Sequence, residues 1–159
     1  MRRAFALAAI LATLAGAGCT RTEPAPVSRW PVETPPGAGA PLLGTEWQLV
    51  AFESSKDAIG TIRPGPDEVW TLRLAPDGSA AMQLSCNRGF GSWTSPDARA
   101  TRGQLRIKAV GSSMAACPPG AITRLPADFE HIRSFVIEGG RLHLNLMMDG
   151  GNYVWTPKP

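Results

Sequence analysis

A chain of 159 residues, 43% apolar and 18% charged, has room for one domain plus a targeting segment and the balance of a folded protein. Its formal net charge is +3, and only +1 remains once Arg2 and Arg3 are set aside. With no basic cluster and no charged block, a nucleic-acid binder and an acidic or basic interaction tail are both excluded.

Residues 1–18 read as a signal peptide. Arg2 and Arg3 form a charged start, Ala4 to Leu14 is an uncharged apolar run, and Ala15, Gly16, Ala17 and Gly18 are small enough for a signal peptidase pocket. The apolar run is shorter than the roughly 20 residues a bilayer span needs. Cys19 follows at once, in a setting that resembles the lipobox of bacterial lipoproteins, although Gly16 stands where an aliphatic residue is usual. The resemblance implies cleavage before Cys19 and acylation of its thiol. Several acyl chains together hold a membrane firmly. Thr20, rather than Asp, after the cysteine implies outer-membrane sorting in a cell with two membranes. Residues 19–41 are then the attachment cysteine and a linker. Pro24, Pro26, Pro31, Pro35, Pro36 and Pro41 remove backbone donors and favour extended chain, as a tether requires.

From Leu42 the pattern changes to strands and turns. Trp47, Leu49 and Ala51 alternate within 44–52, as in a half-buried strand. Residues 56–66 read as a loop. Trp70, Leu72 and Leu74 share one face of a strand over 69–74. Pro76-Asp77-Gly78 turns the chain, and Ala80, Met82 and Leu84 alternate on the return. Short strands follow at 90–94 and 104–108. Leu125, Phe129 and Ile132 lie on one face of a helix predicted over 121–133; Pro126 interrupts that span, so the regular helix is expected to start there with the proline in its first turn. Residues 135–137 and 142–146 form a hairpin across Gly139-Gly140, and 153–156 is a last strand after Asp149-Gly150-Gly151. The expected fold is therefore α+β: a small, strongly curved antiparallel sheet of about seven strands with one helix packed against it. Trp47, Trp70, Trp93 and Trp155 are assigned to its core.

Three segments in order carry a family resemblance. Leu43-Gly44-Thr45-Glu46-Trp47-Gln48-Leu49, Ser85-Cys86-Asn87-Arg88-Gly89-Phe90-Gly91-Ser92-Trp93 and Ser112-Ser113-Met114-Ala115-Ala116-Cys117 resemble the "L-x-G-T-x-W-x-L", "G-C-N-x-x-x-G-x-Y" and "T-x-M-A-C" segments of META/HslJ-type domains. Ser85 replaces the usual Gly, Trp93 stands for Tyr, and Met114 is displaced by one position. The resemblance covers residues 42–159 as one domain. It implies an exported or membrane-attached bacterial protein, in some members linked to heat shock or envelope stress, with no established catalytic site.

In an oxidising compartment Cys86 and Cys117 suggest a disulfide. His131 and His143 do not complete a metal-ligand spacing with them, so no metal and no cofactor is expected. No nucleophile elbow, phosphate-binding glycine loop or acid–base pair is present, and the chain is read as a non-enzyme. Asn87 and Arg88 follow Cys86 in a segment expected to bend, and are candidate partner contacts. Asn87 also suits a bond to local backbone, and Arg88 reads more readily as a solvated charge than as a contact.

The expectation is a periplasm-facing lipoprotein of the cell envelope, held to the membrane by its anchor. It would bind an envelope protein or small ligand in stress resistance, through a sheet edge or the 56–66 loop. The rival expectations are a carrier enclosing a small apolar ligand and an inhibitor of a secreted enzyme.

Overall fold

The computed structural model describes residues 41–159. The signal segment, Cys19, Trp30 and all of the linker before Pro41 lie outside the described residues.

Alternating burial turns most of this region into strands. β1 (Glu46–Glu53) buries Trp47, Leu49 and Ala51. A shift of register against its partner between Leu49 and Ala51 then lets Phe52 face inward as well, as a β-bulge does when it inserts one residue. β2 (Thr61–Ile62) pairs with the end of β1. β3 (Trp70–Leu74) and β4 (Ser79–Leu84) form the predicted hairpin. In its turn the Asp77 carboxylate accepts from the Ser79 hydroxyl and amide, 2.6 and 2.9 Å away, and Gly78 takes a φ of 85°. Those two bonds hold the Asp77 carboxyl below its ordinary range.

β5 (Asn87–Thr94) returns from β4 and pairs with β7 (Arg106–Ser112). β8 (Ile132–Glu138) and β9 (Arg141–Leu146) form the second hairpin across Gly139-Gly140. β10 (Asn152–Pro157) joins β9 to β1. The short β6 (Arg102–Gln104) pairs with β8. Only Leu105 separates β6 from β7, and its amide donates to the Arg133 carbonyl at 3.0 Å. One run of chain thus pairs with β8 at its start and with β5 at its end. The antiparallel sheet, ordered β6-β8-β9-β10-β1-β3-β4-β5-β7, thereby nearly closes into a barrel.

Ten strands stand among the described residues, against the expected seven or so. The extra ones are β2, hidden in the predicted 56–66 loop, and β6, split from the predicted 104–108 strand. Segments of two or three residues are too short to show a period. The helix is also corrected. α1 covers only Leu125–Asp128, with Pro126 in its first turn, followed by a 3₁₀ turn at Phe129–His131. Its apolar face is as predicted, since Leu125, Phe129 and Ile132 are all fully buried. Its length is not, because Ile132 pairs with Leu146 as the first residue of β8. An extended backbone there puts the side chain into the same core without helix.

The barrel interior is filled. Trp47, Trp155, Phe129, Phe135 and Leu72 show almost no exposure, and Trp70 and Trp93 lie in the same cluster. Phe52 and Tyr153 stack at 4.7 Å between ring centres. The Tyr153 hydroxyl donates to the buried Asp128 at 2.7 Å, which ties α1 to β10. Burial, then the Asp128 carboxylate, drives the Tyr153 hydroxyl far above its ordinary pKa. No helix among the described residues is long and apolar enough to cross a membrane.

Candidate functional site

The connection between β4 and β5 is two residues long, Ser85 and Cys86, because Leu84 already pairs with Asn87. Ser85 carries a φ of 58°, a left-handed conformation that favours glycine. The bend expected around Asn87 and Arg88 therefore falls one step earlier, and both of those residues are in a strand. Cys86 is bonded to Cys117, 31 residues on, with the two Cα atoms 5.6 Å apart.

The bridge pins the irregular arm that follows β7, residues 113–124. Asn87 pins it a second time. Its side-chain oxygen accepts from the Ser113 hydroxyl and the Ala115 amide, both at 2.8 Å. Its side-chain nitrogen donates to the Ala115 carbonyl and to Cys117 Sγ, both at 3.0 Å. An amide side chain offers a donor and an acceptor together, so Asn87 acts on the arm as a strand partner would. Ser113 completes the junction: its amide donates to the Arg88 carbonyl at 2.9 Å, and its hydroxyl accepts from the Arg88 amide at 3.0 Å.

Glu68 makes the third clamp. Its carboxylate accepts from the amides of Gly65 at 2.7 Å, Ala121 at 2.8 Å and Ile122 at 3.2 Å. Burial pushes this carboxyl up, but the three amides outweigh it and hold the group below the ordinary 4.5. Gly120 lies so close to the carboxylate that any side chain there would collide with Glu68 Oε1.

Between these clamps lies an open cleft of about 650 Å³. Pro66 and Val69 stand on one bank, Pro118 and Pro119 on the other, and Thr71 and Gln83 contribute to its lining. At one side Lys158 Nζ donates to Glu46 at 2.7 Å, a bond that lowers the Glu46 carboxyl. A second hollow of about 330 Å³ shares Pro118, Pro119 and Gly120 with it and reaches Trp70 and Leu84. The cleft combines proline faces, a hydroxyl, a primary amide and an ion pair. Such a lining can hold an extended peptide or a small amphipathic molecule.

The structure thus brings Cys86, Cys117 and Asn87 together, with Cys86 lining the cleft and Cys117 and Asn87 lining the second hollow beside it. Arg88 is directed to the outer face of β5 and is exposed. His131 lies exposed on the 3₁₀ turn, whereas His143 on β9 meets Asn152 at 3.0 Å. No group of three or more potential metal ligands gathers among the described residues. Glu68 and Gly120 were missed by sequence reasoning. Both sit in aperiodic loops, and the density of Gly and Pro around them was the only signal.

A family model of the META domain matches residues 40–156. No curated protein and no solved structure matches the chain.

Proposed function

The chain belongs to the META domain family, and we propose on that premise that it is a non-enzymatic protein of the bacterial envelope, tethered through an acylated Cys19 and binding a partner or ligand in stress resistance. The signal peptide ends at Gly18, residues 19–41 are anchor and tether, and the domain faces the periplasm from the outer membrane. A disulfide across the domain suits an oxidising compartment.

The observation that carries the binding reading is the immobilised bank of the cleft. An arm without ladder bonds beyond Ser113 is held by a disulfide, a four-bond asparagine and a three-amide carboxylate. Loops fixed in this way present a surface with little ordering cost on binding. The reading as a binder is also favoured by Glu68, whose oxygens are taken up by backbone amides rather than turned to a substrate. The filled barrel interior favours a ligand in the cleft over one enclosed in the barrel, as the carrier alternative would need.

The test is photo-crosslinking in cells, with the probe amino acid at Gln83 in the cleft or at Arg141 on the far wall. A dominant adduct from Gln83 that is absent from Arg141 is the expected result. Identical adducts from the two positions overturn the cleft as the binding site. The intact mass of the mature protein tests the anchor: a chain starting at Cys19 plus acyl groups is expected, and an unmodified mass removes the tether.

A further inference from the structure

The barrel has two unlike walls. On β4, and more loosely on β5 and the first half of β7, exposed positions alternate with covered ones, while β3 exposes Arg73 alone. Among those exposed positions are four cations, Arg73, Arg88, Arg106 and Lys108, and no carboxylate. Among the described residues the ion pairs are Arg124–Asp128 and Lys158–Glu46; Arg73 stands across from Glu46 of β1 and helps to lower its carboxyl, while Arg88, Arg106 and Lys108 are engaged in no ion pair. The opposite wall mixes signs, with Glu138, Arg141 and Glu53 exposed on β8, β9 and β1.

In the middle of the basic wall stands Phe90, 59% exposed. Its cross-strand neighbours are Ala81 on β4 and Gly111 on β7. A side chain at Gly111 would meet the Phe90 ring at 2.9 Å, so the ring leans over a position that only glycine leaves clear. Small residues on both sides let the ring lie across the sheet with its outer face open. Arg73 continues the same row beyond Ala81, and Arg88 is the next outward residue along β5. Beside the wall, a groove of about 410 Å³ runs past Arg106, Lys108 and Arg133, with the Ser92 and Thr94 hydroxyls on the same side and Glu130 the one carboxylate at its border.

We propose that this wall docks the domain on an anionic phospholipid surface, with the Phe90 ring entering the headgroup layer and the surrounding cations meeting lipid phosphates. Charge complementarity selects the occupant. A wall whose own strands carry cations and no carboxylate favours a polyanionic plane, and each Lys or Arg near such a surface adds attraction that salt screens. A single aromatic raised among them supplies the apolar contact that a soluble polyanion would not reward. The proposal goes beyond the cleft and does not depend on acylation.

The test is co-sedimentation of the full chain carrying Cys19→Ser with phosphatidylethanolamine vesicles, with and without phosphatidylglycerol. Binding that requires phosphatidylglycerol and falls with salt is expected. Arg88→Glu with Lys108→Glu should weaken it at least about tenfold, Phe90→Ala should weaken it several-fold, and Arg141→Glu on the mixed wall should leave it unchanged. Circular dichroism verifies that each variant is folded. Equal loss from Arg141→Glu, equal binding to vesicles lacking phosphatidylglycerol, or a Phe90-independent preference for dextran sulfate over vesicles each overturns the proposal. Because Cys19 is absent from the assay chain, failure here leaves the anchor and the cleft reading standing.

Discussion

Residues 113–124 and the β8–β9 hairpin are stretches of similar length that solve the same problem by different means. The hairpin runs from Ile132 to Leu146, and ladder bonds repeated along both strands hold its backbone. The arm has no ladder over most of its length. A bridge at Cys117, the Asn87 amide and the Glu68 carboxylate hold it instead. A ladder spreads its stability over many equivalent bonds, so removing one side chain leaves the backbone in place. Clamps concentrate it in a few atoms. The region facing the candidate site is therefore the one most exposed to single substitutions.

The largest break comes from the disulfide. Cys86→Ser with Cys117→Ser releases a closed loop of 31 residues, for which the chain-entropy relation gives about 3–4 kcal/mol. Urea unfolding is expected to lose that amount, and proteolysis of the folded variant should start within residues 113–124. Next is Asn87→Ala, which strips the Ala115 carbonyl and amide of their partners and should cost about 1–3 kcal/mol. Asn145→Ala sharpens the comparison from the hairpin side. Asn145 makes one side-chain bond, to Ser134 at 3.2 Å, and its loss should cost under about 1 kcal/mol. Equal costs at the two asparagines would erase the distinction between clamp and ladder.

Ser85→Gly acts in the opposite direction. It relieves a left-handed backbone worth about 1–2 kcal/mol but adds about 0.4–1 kcal/mol of unfolded-state freedom. A net gain of up to about 1 kcal/mol is expected in the same unfolding experiment. The smallest effect is that of pH on Glu68. Its folded carboxyl titrates below the ordinary 4.5, so the unfolded chain binds the proton first and stability rises with pH. The contribution is complete above 4.5 and is lost as pH falls through the lower folded value. The stability advantage of the wild type over Glu68→Gln should therefore be full at neutral pH and shrink as the solution is acidified below 4.5. An advantage that stays constant across that range would remove Glu68 from the clamp.

The longer ladders were legible in the sequence, as were the cysteine pair and a backbone bond for Asn87, whereas the Glu68 clamp and the two shortest strands were not. Trp70, Leu72 and Leu74, then Ala80, Met82 and Leu84, declare a hairpin because alternate burial leaves a period of two. The cysteine pair was readable from compartment and number alone. The helix face was readable and its end was not, since Ile132 fits the core equally from a helix or from a strand. Glu68 left no trace because its partners are amides at Gly65, Ala121 and Ile122, and every residue but proline carries one. The basic wall was hidden by the near-neutral total. A charge count sums the walls together, and Phe90 becomes an exposed aromatic only once β4 and β7 supply alanine and glycine beside it.

The run through β6, Leu105 and β7 bears on how copies of this protein meet one another. An open sheet this wide would end in two long unsatisfied borders, each a template on which another chain could grow a strand. Here one segment caps both. β6 offers only three residues at one border, and the far side of β7 lies against the 3₁₀ turn. The hinge is a leucine with no solvent exposure, so the crossing from one partner to the other is locked by the core itself. The domain gains from this arrangement an intrinsic resistance to edge-on aggregation.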